Sequence, residues 1–536
     1  MESSSSTSEP KQTVDWSQYK PKCEWLDVPA STKAHFEHVA PPTPLESHDL
    51  IKILSFNVLA QTLIRREVFP TSSSKALKWT TRKENLFNEI RGYDADIICL
   101  QECDFYEEFW KPRVVDKPQL GYGGGYWKRK EGKNDGVAVI WRRSMFEMVD
   151  KMDVEYDDYC KLEPYANGGI GCDLSELLRG NVGQIVALRR IPAQTGKEDV
   201  VSRLETVSES GPVGTPCEDK GVIIFNTHLF WNPRYNYVRL VQCVIALEQI
   251  MKFKEMTGLN WPVVMCGDYN HSSGDPSYEA LFERQSLTQS WDRHECWLAP
   301  KLHYSKYQGW IVLPPQNVLD AEEPKPREAQ DDAAKEARFA LVRSILERFE
   351  TFELPLPISV YRNYIEVDPE HPDWEATHQP SRLEPPFTSY SSFWCGPLDY
   401  IAVISPHHFS SANDTCALLP QQLMRTPRAS EVGPPSSLVN SKRIPHPVEL
   451  PNDVRASDHL PIMASFVLTA SNPPPPFSHH GHQQGHHHPH NNLQLLLHSP
   501  HHTTVHAHVK NHQCDDDENA ITASTPGQVV KVPSAD

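Results

Sequence analysis

Short apolar runs recur through the middle of this chain, and most of them begin or end on a carboxylate, an amide or an imidazole. Ile51–Val58, Asp96–Leu100, Gly136–Arg142, Gly183–Arg189, Val222–Leu229, Val263–Gly267, Leu398–Ile404 and Ile462–Leu468 are five to eight residues long, which is strand length. Helical patterns are fewer: Arg82–Arg91, Arg234–Lys254, Pro276–Glu283 and Arg338–Phe349, the last stopping before Leu354-Pro355. Pro233 stands just before the long helix, where its fixed φ suits a first turn. Eight or more strands with so few helices between them predict two sheets packed face to face and covered by helices. The expected class is therefore α/β, a four-layer sandwich of two mostly antiparallel sheets flanked by helices.

At 536 residues the chain has length for three or four domains of about 150 residues, but its composition reduces that count. Residues 1–48 read as a polar N-terminal extension, with Trp16, Trp25 and Phe36 available to pack on the body. Residues 470–536 run from PPPP through 13 of the 26 histidines to DDDE. A tail of this kind cannot bury a core and reads as disordered. Two loop insertions are expected at 193–220 and 314–336, leaving one catalytic domain over 49–469. The irregular histidine spacing in the tail supports low complexity over a Zn²⁺ or Ni²⁺ site. Twelve cysteines without a C-x-x-C pair, several inside apolar runs, suit a reduced compartment. With no apolar leader at the start and no apolar run of membrane length, the expected location is cytosol, nucleus or both, with no membrane partner.

Polar residues at the strand ends carry the functional content. ILSFN ends in Asn57, DIICLQE in Gln101-Glu102, VIIFNTH in Asn226 and His228, and VVMCGDYN in Asp268 and Asn270. GPLDYIAVI and SDHLPIMASF carry Asp399 and Asp458-His459 at their starts. Any one of these reads most simply as a turn former, a core histidine or, for Glu102, the first turn of a helix over Phe105–Trp110. Six together are not explained by turns. Carboxylates and amides are hard oxygen ligands suited to Mg²⁺, and two histidines beside acids suit proton transfer and phosphate stabilisation. The set reads as a magnesium-assisted phosphoryl site.

The ordered series SFNVLA, ICLQE, NTHLFW, GDYN, LDYI and SDHLP resembles the endonuclease/exonuclease/phosphatase superfamily. NVLAQTL at 57–63, PPFTSYSSFWCGPLDYI at 385–401 and LPNDVRASDHLPI at 450–462 resemble its deadenylase-like branch of carbon-catabolite-repressor deadenylases, Angel and nocturnin, with fungal Ngl-type RNA exonucleases nearest. The resemblance implies Glu102 as the main metal ligand, with Asn57 close by and Asp458 assisting. It implies Asp268 as the group that orients or deprotonates the attacking water and Asn270 as a phosphate ligand. His459, its ring fixed by Asp399, and His228 would face the scissile phosphate from two sides. The implied activity is Mg²⁺-dependent 3′-to-5′ hydrolysis of RNA, with Mn²⁺ able to substitute and poly(A) a plausible preference. Phosphoinositide 5-phosphatases share the fold but typically carry Arg after the acid matching Asp399, where this chain has Tyr400. A nocturnin-like dinucleotide phosphatase and a non-catalytic RNA-binding scaffold are the alternatives. The retained catalytic set argues against the scaffold.

For the substrate, YGGGYWKRKEGKN at 122–134 interleaves aromatics with Lys128, Arg129, Lys130 and Lys133. It reads either as a loop that grips single-stranded RNA or as a glycine-loosened hairpin with a solvated charged turn. Trp231 and Asn232, just past His228, are further candidates to line the site, with plain core the other reading of Trp231. Arg65-Arg66 and the weakly basic stretch 424–455 would add to a basic rim. No leucine-rich repeat stands before residue 49, so docking to the large deadenylase complex through such a segment is not expected. The net charge of −18 excludes a protein that coats duplex DNA. The two terminal segments and two insertions carry −13 of it, leaving −5 on the predicted body.

Overall fold

The computed structural model describes residues 23–36, 50–130, 132–162, 165, 174–192, 220–233, 235–284, 332–351, 353–374, 383–391, 394–404, 416–432 and 450–470. Within them, seven strands form one sheet in the spatial order Trp25–Asp27, Cys416–Met424, Ile462–Ala470, Leu50–Asn57, Ile97–Gln101, Gly136–Arg142 and Tyr122–Lys128. Six form a second sheet in the order Pro357–Ser359, Asp399–Ile404, Val263–Asp268, Gly221–His228, Val182–Arg190 and Phe146–Glu155. Each sheet contains one parallel pair: Leu50–Asn57 with Ile97–Gln101, and Gly221–His228 with Val263–Asp268. All other neighbours in the two sheets are antiparallel. A parallel pair needs a crossover, and the helices Trp79–Tyr93 and Asn236–Thr257 lie in the two connections. The expected sandwich of two mostly antiparallel sheets flanked by helices is the observed architecture.

Side-chain alternation builds the layers. Ile51, Ile53, Ile97, Cys99 and Val139 face the core shared with the second sheet. Leu54, Phe56, Ile98, Leu100 and Ile140 face a separate core beneath Leu86, Ile90, Phe109 and Trp110 of the outer helices. Asn57 and Gln101 have the same parity as the first set, so they point between the sheets. There Gln101 Nε2 donates to Asn226 Oδ1 at 2.7 Å, and Asn226 Nδ2 donates to the carbonyls of Leu100 and Ala138, both at 2.9 Å. These three bonds across the interface fix the position of one sheet on the other, with Gln101 Oε1 left without a hydrogen-bond partner among the described residues.

Some boundaries differ from the sequence reading. Of the two readings of 122–134, the hairpin is observed: Tyr122–Lys128 is an edge strand of the first sheet, with Gly123, Gly124 and Gly125 in register with Trp141, Ile140 and Val139. The long helix starts at Asn236, so Pro233 lies outside it. Part of the segment read as an extension belongs to the body: Trp25–Asp27 pairs with Gln422–Met424, and Phe36 is buried. The helix Asp332–Thr351 begins inside the second expected insertion. Trp16, residues 193–219 and 314–331, and the histidine-rich tail lie outside the described residues. Among the described residues seven cysteines are free, and no helix is long and apolar enough to cross a membrane.

Gly267 shows how tightly the central strands are set. A Cβ there would meet the Thr227 carbonyl oxygen at 2.2 Å, across the parallel pair that ends in His228 and Asp268. Gly267→Ala should cost about 1–3 kcal/mol by overpacking. Denaturant unfolding of the variant checks this, and wild-type stability would contradict it.

Candidate active site

Topology alone gathers the polar strand ends. The parallel registers place Asn57 beside Gln101 and His228 beside Asp268. The antiparallel strand Asp399–Ile404 starts where its neighbour stops, so Asp399 pairs with Asp268. Ile462 pairs with Ser55, which puts Asp458 and His459 just before that strand and near Asn57. Ser457 Oγ fixes this approach by donating to the Asn57 carbonyl at 2.7 Å, and it accepts from the His459 N–H at 3.2 Å.

Asn57 joins the acids of the two sheets. Its Nδ2 donates to Glu102 Oε1 at 3.0 Å and to Asp268 Oδ2 at 2.9 Å, while its Oδ1 accepts from Leu59 N–H at 2.9 Å. Glu102 Oε2 accepts from Ala60 N–H at 2.9 Å, and Asp268 Oδ1 accepts from Asn270 N–H at 3.0 Å. Glu102 and Asn270 both have left-handed backbones, with φ of 52° and 51°. For a glutamate that conformation is costly and typical of functional positions. Burial pushes the Glu102 carboxyl up to about 8, with Asp458 and Asp135 reinforcing it and the bonds from Asn57 and Ala60 opposing.

Both imidazoles converge on Asp268. His228 Nε2 and His459 Nε2 each lie 3.6 Å from Asp268 Oδ2, and His228 Nε2 lies 4.0 Å from Glu102 Oε1. Their charge states differ. Burial, reinforced by Arg129, pushes His228 down to about 3, so it is a neutral imidazole. Burial works against a charged His459 too, but Asp399 and Asp268 outweigh it and hold the ring well above its ordinary value. His459 Nδ1 meets Asp399 Oδ2 at 2.8 Å, and the same oxygen accepts from Thr388 Oγ1 at 2.6 Å. Thr388 Oγ1 in turn accepts from the N–H groups of Leu398 and Asp399 at 2.9 and 3.1 Å. Burial, eased by His459, leaves Asp268 at about 7, where a carboxylate is an effective proton acceptor.

The donor set fits a divalent cation. Glu102, His228 and Asp268 offer ligand atoms within 4.8 Å of one another, as do Asp268, Asp399 and His459. Burial also raises the Asp458 carboxyl, and its Oδ1 is buried without a hydrogen-bond partner among the described residues. Asp458 belongs to neither of the two groups, although its charge reaches Glu102. A cation would offset the repulsion among these crowded acids and keep them ionised. Asn57, by contrast, is placed to hold the two carboxylates through its N–H bonds.

The predicted grip residues fare unevenly. Arg129 is turned into the protein: Nε donates to the Gly180 carbonyl at 2.7 Å and Nη1 to Asp135 Oδ2 at 3.2 Å. Lys130 pairs with Asp158 and Glu155 at 3.1 and 3.4 Å. Lys128 is exposed at the end of its strand. Trp231 is half-buried against the core and edge-on to Phe230, and Asn232 is buried with its carbonyl accepting from Arg239 at 2.7 Å. The hairpin reading of 122–134 is therefore the one observed. Arg66 bonds the carbonyls of Phe69 and Ser72, and Arg455 pairs with Glu89 at 2.8 Å.

Other residues support the site without having been singled out in the sequence. Arg82 is fully buried in the crossover helix and donates to the carbonyls of Ala456, Val58 and Leu59 at 2.7, 2.7 and 2.5 Å. It ties the loop after Asn57 to the segment before Ser457. A lone arginine among the buried positions of an amphipathic helix was its only signal. Thr388 lies inside the PPFTSYSS phrase but gives no sign of reaching Asp399.

The two packed sheets thus gather buried acids and imidazoles at their adjoining strand ends. The Endonuclease/Exonuclease/phosphatase family profile matches residues 54–459, and the chain belongs to that family and is a hydrolase of it. Among curated relatives, RNA exonuclease NGL2 of Saccharomyces cerevisiae is 30% identical over 374 residues, spanning 65% of each chain. Probable RNA exonuclease NGL3 of the same yeast is 28% identical over 440 residues, covering 78% of this chain and 76% of its own. Among solved structures, ANGEL2, described as a 2′,3′-cyclic phosphatase, aligns at a TM-score of 0.42 and 21% identity over 78% of this chain and 95% of its own.

Asp399→Asn removes the anion that contributes most to keeping His459 protonated. The His459 pKa should then fall, so activity that needs the imidazolium is lost at lower pH. The alkaline limb of the kcat/KM profile should move down by at least about one unit. An unmoved limb would contradict the assigned charge state.

Proposed function

We propose that this chain is a Mg²⁺-dependent 3′-to-5′ exoribonuclease acting on single-stranded RNA in RNA processing or turnover, with Mn²⁺ able to substitute and poly(A) among its preferred substrates. The observation that carries this reading is the convergence of Glu102, Asp268, His228 and His459 within one cleft, in a chain whose family relatives include proteins named RNA exonucleases. A divalent cation held by Glu102, with Asp458 nearby, would supply charge neutralisation at the scissile phosphate. The remaining chemistry belongs to side chains. Asp268, near neutrality and held by Asn57 and Asn270, accepts the proton of the attacking water. His459 carries positive charge toward the phosphate, and the Asp399–Thr388 pair fixes its ring. His228 contributes a hydrogen bond without charge, and the Asn270 side-chain amide offers a further N–H. These fixed groups let the anionic phosphodiester approach a site that would otherwise repel it.

With Mg²⁺, 3′-labelled and 5′-labelled oligo(A) and a mixed-sequence RNA should be shortened from the 3′ end, and EDTA should stop the reaction. Glu102→Ala, Asp268→Ala and His459→Ala should each lower the rate by at least about a hundredfold while leaving the protein folded. Near-wild-type turnover in any of them would overturn the site assignment. Phosphate release from NADPH without nucleotide release from RNA would overturn the RNA reading in favour of a dinucleotide phosphatase. Tight RNA binding without shortening in Mg²⁺ or Mn²⁺ would favour a scaffold.

A further inference from the structure

The loop after Asn57 and the crossover helix that follows it carry charge opposite to the rest of the chain. From Arg65 to Lys83 there are six basic residues and one acid, within a chain of net charge −18. Some of these bases are structural: Arg82 is buried and Arg66 bonds backbone carbonyls. Lys75 and Lys78 are exposed and form no ion pair among the described residues.

An aromatic surface lies directly beside them. Trp79, next to Lys78, stacks on Phe105 with ring centroids 4.9 Å apart and planes inclined by 23°. Trp79 is also edge-on to Phe109 at 5.2 Å, so one ring is anchored in the outer-helix core. Phe105 is 36% exposed, the one aromatic among the exposed large hydrophobic residues described. It is the third residue after Glu102, and its φ of 49° is again left-handed. An exposed phenyl ring presented by a strained backbone gains nothing for the core.

Hydrogen bonds attach this surface to the catalytic cleft. Ala60 N–H donates to Glu102, and the next residue, Gln61, donates from its backbone N–H to Asp104 Oδ2 at 2.6 Å. Gln61 Nε2 donates to the Leu77 carbonyl at 3.1 Å, and Gln61 Oε1 accepts from Arg82 at 3.0 Å. These bonds tie Glu102 and Asp104, which immediately precedes Phe105, to Leu77, which immediately precedes Lys78.

We propose that Phe105, backed by Trp79, is a stacking platform for a base of single-stranded RNA outside the catalytic cleft, with Lys75 and Lys78 contacting the flanking phosphates. This rests on the exoribonuclease reading above. An apolar ring beside unpaired cations matches the alternation of base and phosphate along a strand. A protein partner would use the apolar ring but would leave the exposed cations of this basic stretch unexplained.

The test is fluorescence anisotropy of labelled oligo(A) with the full chain in EDTA, where hydrolysis is prevented, alongside a thermal melt of each variant. Phe105→Ala should raise Kd about tenfold, and Phe105→Tyr should stay within about twofold of wild type. Lys75→Gln with Lys78→Gln should lower the slope of log Kd against log salt by about 1.4, the value for two phosphates of a single strand. Unchanged affinity in Phe105→Ala, or an unchanged salt slope in the lysine pair, would overturn the platform while leaving the exoribonuclease reading intact. If Phe105→Ala fails to fold, the tyrosine variant and the lysine pair still decide, since an unchanged salt slope overturns the proposal. Wild-type protein that neither binds nor shortens RNA would remove the reading on which the platform rests.

Discussion

Two carboxylates from different sheets, Glu102 and Asp268, are buried within reach of a single amide, and the rest of the site is arranged around that fact. Left alone in a low-dielectric cleft, such a pair would be strongly disfavoured in its charged form. The Asn57 amide bonds both at about 3 Å, and His459 sets a positive charge 3.6 Å from the second. The two sheets must meet with their strand ends level for this to happen. The Gln101–Asn226 bonds set one sheet on the other, while the close approach at Gly267 fixes neighbouring strands of the second sheet and the Arg82 contacts fix the loops flanking two strands of the first.

The two histidines show how location sets chemistry. Both are buried and both face Asp268, yet one is neutral and the other charged. His459 has Asp399 bonded to its far nitrogen, whereas His228 Nδ1 has no hydrogen-bond partner among the described residues and Arg129 lies near enough to disfavour its cation. A site that handles an anionic phosphodiester needs charge on one side and a hydrogen-bonding group on the other, and the unequal surroundings supply both.

Much of this was legible in the sequence because strand ends are short, local signals. All eight expected strands are present, and six of them bring Asn57, Glu102, His228, Asp268, Asp399 and His459 together at their ends. What escaped notice depended on distant partners. Tyr122–Lys128 read equally as a loop or a hairpin because its three glycines give no apolar alternation for a strand that pairs through its backbone. Phe146–Glu155 is an edge strand with a mostly exposed polar face, and Cys416–Met424 is interrupted by Pro420, where its register shifts. Arg129 looked like a solvated grip, but the carbonyls it bonds belong to Arg179 and Gly180, some fifty residues away. Arg82 and Thr388 act through backbone carbonyls and a carboxylate that no local pattern announces.

The proposed cation site draws the acids of the two sheets together on Glu102. Crystals of the protein soaked in Mn²⁺ and measured at the manganese absorption edge test it most directly. An anomalous peak within bonding distance of the Glu102 carboxylate, absent from crystals of Glu102→Gln, is the predicted result. A cleft without a peak at saturating Mn²⁺, or a peak that survives loss of the Glu102 charge, would contradict the account.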